Sequence, residues 1–146
     1  MSLYELTSEG KDAGSNPASL TWGTTSNTTG ATSTTDGKAN TKTLVELGTN
    51  YTAATACSLY STEGTSAGDW YLPASEELST MYENFKVIQE ALDNLTDNAL
   101  ALDSNNGYWS STESIVDRAY YLYTGYGDIY SSNKDNDNYV RAFLSI

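Results

Sequence analysis

The sequence has no histidine and only one cysteine, and both shortages exclude classes of function. Histidine is the commonest general base and the commonest metal ligand, so the usual residue for either task is missing. Cys57 stands alone, which excludes an internal disulfide and a zinc site made of thiolates. Because Cys57 follows Ala53, Ala54 and Ala56, we expect it to be a small core residue in a helix. We therefore expect no catalytic residues, no metal and no cofactor.

Basic residues are also scarce, since 7 Lys and Arg face 19 Asp and Glu and the net charge is −12. Such a surface repels phosphate backbones over most of its area, so we expect no nucleic-acid partner. The sequence contains no apolar run of roughly eighteen residues and does not begin with a basic stretch followed by an apolar one. We therefore expect neither direct membrane insertion nor a signal peptide.

The length of 146 residues and the 38% of hydrophobic residues predict a single domain with one core over residues 1–146. Residues 1–19 are the exception. We expect them to be a linker or an artificial edge, because Met1-Ser2-Leu3 is compatible with the start of a domain cut from a longer protein.

Two short helices are predicted in the middle of the chain. The first runs from about Asn40 to Gly48, with Asn40 or Thr41 capping its start and Gly48 ending it. The second covers about Ala53 to Tyr60. Before them, a brief strand is predicted around Trp22. We expect Trp22 to anchor the Thr-rich tract that follows, from Thr24 to Thr35.

The segment from Asp69 to Leu78 carries the strongest local pattern in the first two thirds of the chain. Trp70 and Leu72 lie on one face of an extended segment that ends at Pro73. Ser75 is predicted to cap the helix that follows.

The carboxylates outside the last third do not form a recognisable site. Glu76 and Glu77 occupy the first turn of a predicted helix, where they interact favourably with the helix dipole, and they are not an acid/base pair. Asp93, Asp97 and Asp103 lack the spacing of a calcium-binding loop, so we interpret them as solvated.

The last third, from Tyr108 to Ile146, has an unusual composition. Between two ends that resemble buried structure, it consists mostly of Tyr, Asn, Asp, Ser and Gly. Tyrosine supplies contact area at a low entropy cost, and Ser, Gly and Asn supply adaptable hydrogen bonds, as in binding loops. The segment is therefore either a binding surface or an ordinary polar loop region.

Alternation within this third predicts strands. In the run 119–124, one face would hold Tyr120, Leu122 and Thr124, and the other Ala119, Tyr121 and Tyr123. A glycine turn and the return at 128–130 complete a hairpin, and Tyr139–Ile146 is predicted to be the closing strand. Helices followed by strands favour the α+β class.

Several motifs, taken in order, resemble a known family. They are Asn40-Thr41, Ala53-Ala54 with Cys57, Asp69-Trp70-Tyr71-Leu72-Pro73 with Glu77-Leu78, Tyr108-Trp109-Ser110-Ser111-Thr112-Glu113, and Tyr139-Val140-Arg141. From Trp22 to Phe143 the chain resembles the C-terminal domain family of bacterial collagen-like surface proteins, which is related to the Fibrobacter-type paralogous domains. The resemblance implies a C-type-lectin-like fold of the formylglycine-generating-enzyme-like branch, with two helices, a small twisted antiparallel sheet and long loops. It assigns structural roles to Trp70, Leu72, Pro73, Trp109, Glu113 and Arg141.

The sequence departs from this pattern twice. Enzymes of the formylglycine-generating branch use a pair of active-site cysteines, and Cys57 has no second cysteine here, so the resemblance does not carry that activity. Thr124 also stands where an aromatic residue is usual, which leaves the packing of the hairpin open.

Domains of this family often serve as variable proteins of diversity-generating retroelements, in which template adenines are randomised. AAC codons then become any codon ending in C, and these never encode Glu, Gln, Lys, Met or Trp. From Ser114 to Ile146, only Lys134 falls outside the accessible residues. The rest of the chain is also poor in the excluded residues. The sequence therefore leaves two possibilities open, a segment that a retroelement diversifies and one that it does not.

We therefore predict a non-enzymatic domain that binds a protein or glycan ligand on another cell or surface. It would be extracellular, on a cell surface or a virion. The alternatives are a carbohydrate-binding adhesin domain and, least favoured, an enzyme. The predicted ligand-binding surface comprises Ile115, Asp117, Arg118, Tyr121, Tyr123, Tyr126, Asp128, Tyr130, Ser132, Asn133, Asp135 and Asp137.

Overall fold

A computed structural model describes residues 1–2, 4–14, 18–84, 87, 90–91 and 105–144. Helices precede the main strands along this part of the chain, so the predicted α+β class is confirmed. The resemblance implied two helices, but the described residues form the three that local patterns predicted at about 40–48, at about 53–60 and after Pro73. None of the described helices combines the length and the apolar character that crossing a bilayer requires. The helices are α1 (Gly37–Leu47), α2 (Thr52–Leu59) and α3 (Ser75–Glu83).

The strands form three small antiparallel sheets in the described part of the chain, with β3, β4 and β5 in one, β1 and β6 in the second, and β2 and β7 in the third. Their bounds are β1 (Leu20–Thr21), β2 (Trp70–Tyr71), β3 (Gly107–Ile115), β4 (Arg118–Tyr123), β5 (Asp128–Asn133), β6 (Asp137–Asn138) and β7 (Phe143–Leu144). The predicted hairpin is β4 and β5 and is confirmed. The closing strand predicted from Tyr139 is wrong in extent, because β7 pairs only with the two residues of β2. Ile146 lies outside the described residues.

Helix α1 begins earlier than predicted. Its cap is Asp36, whose Oδ1 accepts a hydrogen bond from the Ala39 N–H at 2.9 Å. Asn40 and Thr41 lie inside the helix and are buried, so the prediction that either caps it is wrong. The Thr41 Oγ1 instead accepts the Leu72 N–H at 2.9 Å and thereby joins α1 to the extended segment before α3.

The start of α3 also differs from the prediction. Ser75 is the first helical residue and not the cap, because the capping position is occupied by Ala74. The Ala74 N–H donates to Oε1 of Glu77 at 2.9 Å, which agrees with the expected role of Glu77 at the start of the helix. The Ser75 N–H donates to Oγ1 of Thr112 at 3.0 Å and links the helix to β3.

The sheet of β3, β4 and β5 has apolar residues packed on both faces. Successive strand residues point to opposite sides, so Trp109 enters the larger core cluster and Tyr108 the smaller one. Beside Trp109, the larger cluster contains Trp22 and Leu72, while Tyr108 packs with Leu78 of α3. The sheet is thus held between two packed layers.

The start of the chain is part of this structure. Ser2, Glu5 and Leu6 are buried. The Leu6 N–H donates to the Val140 carbonyl at 2.9 Å, and the Glu5 Oε2 lies 3.3 Å from Nη2 of Arg141. The expectation that residues 1–19 form a linker is therefore wrong for this segment, which pairs with the chain shortly before β7.

Candidate functional site

The hairpin of β4 and β5 determines which predicted ligand-binding residues share a surface. Paired residues of antiparallel strands point to the same side of the sheet. One face therefore holds the pairs Tyr121 with Tyr130, Tyr123 with Asp128, and Ala119 with Ser132. The opposite face holds the pairs Arg118 with Asn133, Tyr120 with Ser131, and Leu122 with Ile129.

Four tyrosines line an open hollow of about 390 Å³, here called the tyrosine hollow: Tyr121, Tyr123 and Tyr130 from the first face, and Tyr126 from the turn between the strands. The Tyr121 and Tyr130 rings have centroids 6.1 Å apart and are inclined at 38°. The Tyr123 and Tyr126 rings have centroids 5.4 Å apart at 62°. The rings therefore form inclined walls and not one flat platform. Tyr126 is 75% exposed and Tyr130 42%.

Two glycines leave the space that these rings occupy. A Cβ on Gly125, in the turn between the strands, would lie 2.5 Å from Cε1 of Tyr123. A Cβ on Gly107, at the start of β3, would lie 2.8 Å from Cδ2 of Tyr121. A larger residue at Gly125 would displace the Tyr123 ring, and one at Gly107 would meet both the Asn138 side chain and the Tyr121 ring.

Tyr121 belongs both to this hollow and to the core. Its ring lies edge-on to that of Trp109, with centroids 6.2 Å apart, and it packs against the larger core cluster. The Trp109 Nε1 donates to the Leu20 carbonyl at 2.7 Å. Tyr121 therefore differs from the exposed Tyr126, since packing against the core fixes its ring.

Asp128 supplies a carboxylate next to the hollow. It is exposed and stands opposite Tyr123 in the strand pair. Desolvation raises the pKa of the Tyr130 hydroxyl, and the negative charge of Asp128 raises it further. The Asp128 carboxylate therefore lies close enough to the Tyr130 hydroxyl to disfavour its ionisation.

The opposite end of the hairpin carries a second set of predicted residues. The Arg118 guanidinium donates to the Ser131 carbonyl at 2.6 Å and to Oδ1 of Asn133 at 3.2 Å, so it is held against β5. Ile115 is 55% exposed, and Asp117 is half-buried in the turn between β3 and β4. The structure thus divides the predicted surface into a tyrosine end and a turn end.

Two of the predicted acidic residues lie beyond this hairpin. Asp135 is exposed in the turn after β5. Asp137 belongs to β6, pairs with Thr21 of β1, and lines a different and smaller hollow of about 140 Å³. Asp137 is therefore not grouped with the tyrosines.

Lys134 was not predicted as a site or core residue, yet its side chain is completely buried. Its ammonium donates to Oε1 of Glu113 at 2.6 Å and to the Val116 carbonyl at 2.8 Å, and it lies 4.8 Å from the centroid of a Trp22 ring. It also donates to the Asn27 carbonyl at 3.3 Å. The sequence did contain one sign that Lys134 is unusual. It is the residue between Ser114 and Ile146 that randomised AAC codons cannot encode.

Glu113 joins the Thr-rich tract to the sheet. Its Oε1 accepts the Thr29 N–H at 3.0 Å, and its own N–H donates to the Ala31 carbonyl at 2.8 Å. The predicted anchor Trp22 is 1% exposed and donates its Nε1 to the Ser110 carbonyl at 2.8 Å. All residues to which the resemblance assigned structural roles are buried, namely Trp70, Leu72, Pro73, Trp109, Glu113 and Arg141.

Thr124 occupies the position where the family usually has an aromatic residue. It follows the last residue of β4 and is held by hydrogen bonds. Its N–H donates to the Asn106 carbonyl at 3.1 Å, and its Oγ1 accepts the Asn106 N–H at 3.2 Å. Thr124 is 5% exposed. Hydrogen bonds to Asn106, the residue before β3, therefore hold Thr124 in place.

The described part of the chain offers little for covalent or metal chemistry. Cys57 is buried in the larger core cluster, as expected, and burial raises the pKa of its thiol, which disfavours the thiolate. No group of three His, Cys, Asp or Glu side chains suited to a metal ion occurs among the described residues. The acidic residues of the 93–103 region lie outside those residues.

A larger hollow of about 570 Å³ lies beside α1 and β2. Its lining includes Val45 and Trp70, and also charges of both signs such as Lys42 and Glu46. This mixture selects no ligand class, and none of the predicted ligand-binding residues lines it. The tyrosine hollow is smaller, but it consists entirely of predicted ligand-binding residues, so we take it as the candidate site.

Comparison with known proteins gives one match. The family model described as the Lcl C-terminal domain matches residues 15–143. This span includes the segment from Trp22 to Phe143 that carries the motifs. Neither a curated protein nor a solved structure matches the chain.

Proposed function

The chain belongs to the Lcl C-terminal domain family, and from this premise we propose that it is a non-enzymatic ligand-binding domain. Its contact surface would be the tyrosine hollow with the exposed residues around it. The observation that carries this proposal is the meeting of four tyrosine rings in one open hollow on a buried support. Aromatic side chains that expose contact area at low entropy cost are typical anchors of binding surfaces.

The separation of surface from scaffold supports the proposal. Every predicted ligand-binding residue is exposed or half-buried, whereas every residue to which the resemblance assigned a structural role is buried. Substitutions at the exposed positions of the hairpin can therefore change the contact surface with little effect on the core. That is the arrangement that a variable binding protein needs.

We further propose that a diversity-generating retroelement varies this surface. Lys134 supports the idea, because the residue that randomised AAC codons cannot produce has a buried role in the scaffold. The test is genomic. We expect to find, next to this gene, a reverse-transcriptase gene and an adenine-rich near-copy of the Trp109–Arg141 coding segment. If neither is present, diversification is contradicted.

The fold, partner and location that we propose follow from the family resemblance. The helices and small antiparallel sheets are compatible with a C-type-lectin-like fold. The partner would be a protein or a glycan on another cell or surface, and the domain would act outside the cell, on a cell surface or a virion. The alternative is a carbohydrate-binding adhesin domain, which the tyrosine rings also favour because aromatic faces can stack on sugar rings.

A comparison of two variants tests the binding proposal. Random-peptide phage and a glycan array would be screened with the unaltered domain and with the double variant Tyr126→Ala/Tyr130→Ala. Leu47→Ala, which truncates a side chain that is 53% exposed at the end of α1, is the matched control. We expect binders that are lost in the double variant and kept in the control. Binders that all tolerate the double variant would contradict the assigned surface, and glycans alone among the lost binders would favour the adhesin.

A further inference from the structure

We propose that the tyrosine hollow binds an organic cation, namely a guanidinium or quaternary ammonium group that the partner presents. This inference rests on the proposed function, since it names the chemistry that the same surface would recognise. The shared feature of these groups is a positive charge spread over a compact group that is only weakly hydrated.

The first support is the arrangement of the rings. The face of an aromatic ring carries partial negative charge and attracts cations that lie within about 6 Å of its centroid. Here rings from β4, from the following turn and from β5 line one hollow, and the ring pairs are inclined at 38° and 62°. Inclined walls surround a compact group, whereas a sugar would stack on a single flat face.

The second support is the charge around the hollow. Among the described residues, only tyrosines line it. Asp128 lies next to it and its charge acts on the Tyr130 hydroxyl. The described residues place no basic side chain in the lining, because Arg118 is bonded to β5 on the other face and Lys134 is buried against Glu113. With a net charge of −12, the surface attracts cations, and the part of the chain that the structure describes contributes none to the lining.

The experiment compares cations with neutral analogues of nearly the same shape. N-acetyl-arginine methylamide is paired with its citrulline counterpart, and choline with 3,3-dimethylbutan-1-ol. Each is titrated into the ¹⁵N-labelled domain, with the amide signals of Gly125 and Gly127 as reporters of the hollow. We expect at least one cation to bind about fivefold or more tightly than its neutral partner.

The two arms identify the source of the cation. Preference for the arginine compound indicates a protein side chain, and preference for choline indicates a quaternary ammonium headgroup. Either result supports the proposal. Equal affinity for cation and analogue would overturn it, because the hollow would then act only as an apolar surface. Absence of shifts at both glycines with every compound would overturn it as well.

Variants separate the contributions of ring and charge. Tyr126→Phe should keep cation binding within about twofold, whereas Tyr126→Leu, which keeps an apolar side chain without a ring, should weaken it about fivefold. Asp128→Asn should weaken it by several-fold. Asp135→Asn makes the same change of charge at an exposed position outside the lining and should have less than a twofold effect. Equal effects of the two Asn variants would contradict a local site.

The failure of this inference can be distinguished from failure of the proposed function. If cations and neutral analogues bind equally, but peptides or glycans are still lost in Tyr126→Ala/Tyr130→Ala, the surface binds a ligand of other chemistry. If no cation binds at the hollow in preference to its neutral analogue, and no peptide or glycan is lost in the double variant, both proposals fail.

Discussion

The ammonium of Lys134 lies 2.6 Å from Oε1 of Glu113, and both side chains are buried. This pair connects the turn after β5 to the middle of the sheet. Through the Val116 and Asn27 carbonyls, the same ammonium also holds the β3–β4 turn and the Thr-rich tract. One buried cation therefore joins the turn after β5, the β3–β4 turn and the Thr-rich tract.

We predict that Lys134→Met destabilises the domain by about 3–5 kcal/mol, because it leaves the Glu113 carboxylate buried without its cation. The double variant Lys134→Met/Glu113→Gln should recover part of this loss. Urea unfolding measures both, and Lys11→Met, at an exposed lysine, is the control with an expected change of about 0.5 kcal/mol or less. A loss in Lys134→Met no larger than in the control would show that the pair does not stabilise the fold.

Core and surface aromatic residues should respond differently to truncation. Trp109→Ala and Trp70→Ala should each cost about 3–5 kcal/mol, since both rings are buried. Tyr126→Ala, at a side chain that is 75% exposed, should cost about 0.5 kcal/mol. Tyr121→Ala should fall between them at about 2 kcal/mol, because its ring packs partly against the core. Thermal melts rank the four variants, and a Tyr126→Ala variant as unstable as Trp109→Ala would refute the assignment of the display surface.

Alkaline conditions should destabilise the domain through Tyr60. Its hydroxyl donates to Oδ1 of Asp12 at 3.1 Å, and burial and the Asp12 charge raise the pKa of that hydroxyl. An unfolded tyrosine titrates near pH 10. The contribution of Tyr60 is therefore fully present below about pH 10 and is lost as the pH rises towards the folded pKa.

Urea midpoints measured between pH 8 and 11 test this dependence. Tyr60→Phe cannot ionise, so its stability should fall less steeply above about pH 10, although it starts lower because the hydrogen bond to Asp12 is missing. Identical slopes for the two proteins would mean that another group causes the alkaline loss.

Chelation is expected to leave the folded state unchanged. We predict that EDTA shifts the melting temperature by no more than about one degree, because the sequence lacks histidine and has one cysteine. A decrease of several degrees would contradict this prediction. The residues 93–103 would then be the first place to search for a calcium site.

Local patterns predicted the presence of the elements better than their limits. The alternation in 119–124 and the glycine turn after it were sufficient for the β4–β5 hairpin, because both depend on neighbouring residues. The caps at Asn40, Thr41 and Ser75 were predicted wrongly. Polar side chains bond to whichever backbone group lies near, and tertiary contacts brought Leu72 to Thr41.

The sequence by itself determined the charge balance, the absence of histidine and of a second cysteine, the α+β class and the separation of tryptophan motifs from a tyrosine-rich segment. Only the tertiary structure decided that Lys134 is a scaffold residue, that Tyr121 serves both core and surface, and that Glu5 pairs with Arg141. Glu5 and Arg141 are 136 positions apart, and Lys134 is 107 positions from Asn27. Contacts over such separations depend on how the layers pack, and a local pattern contains no record of that packing.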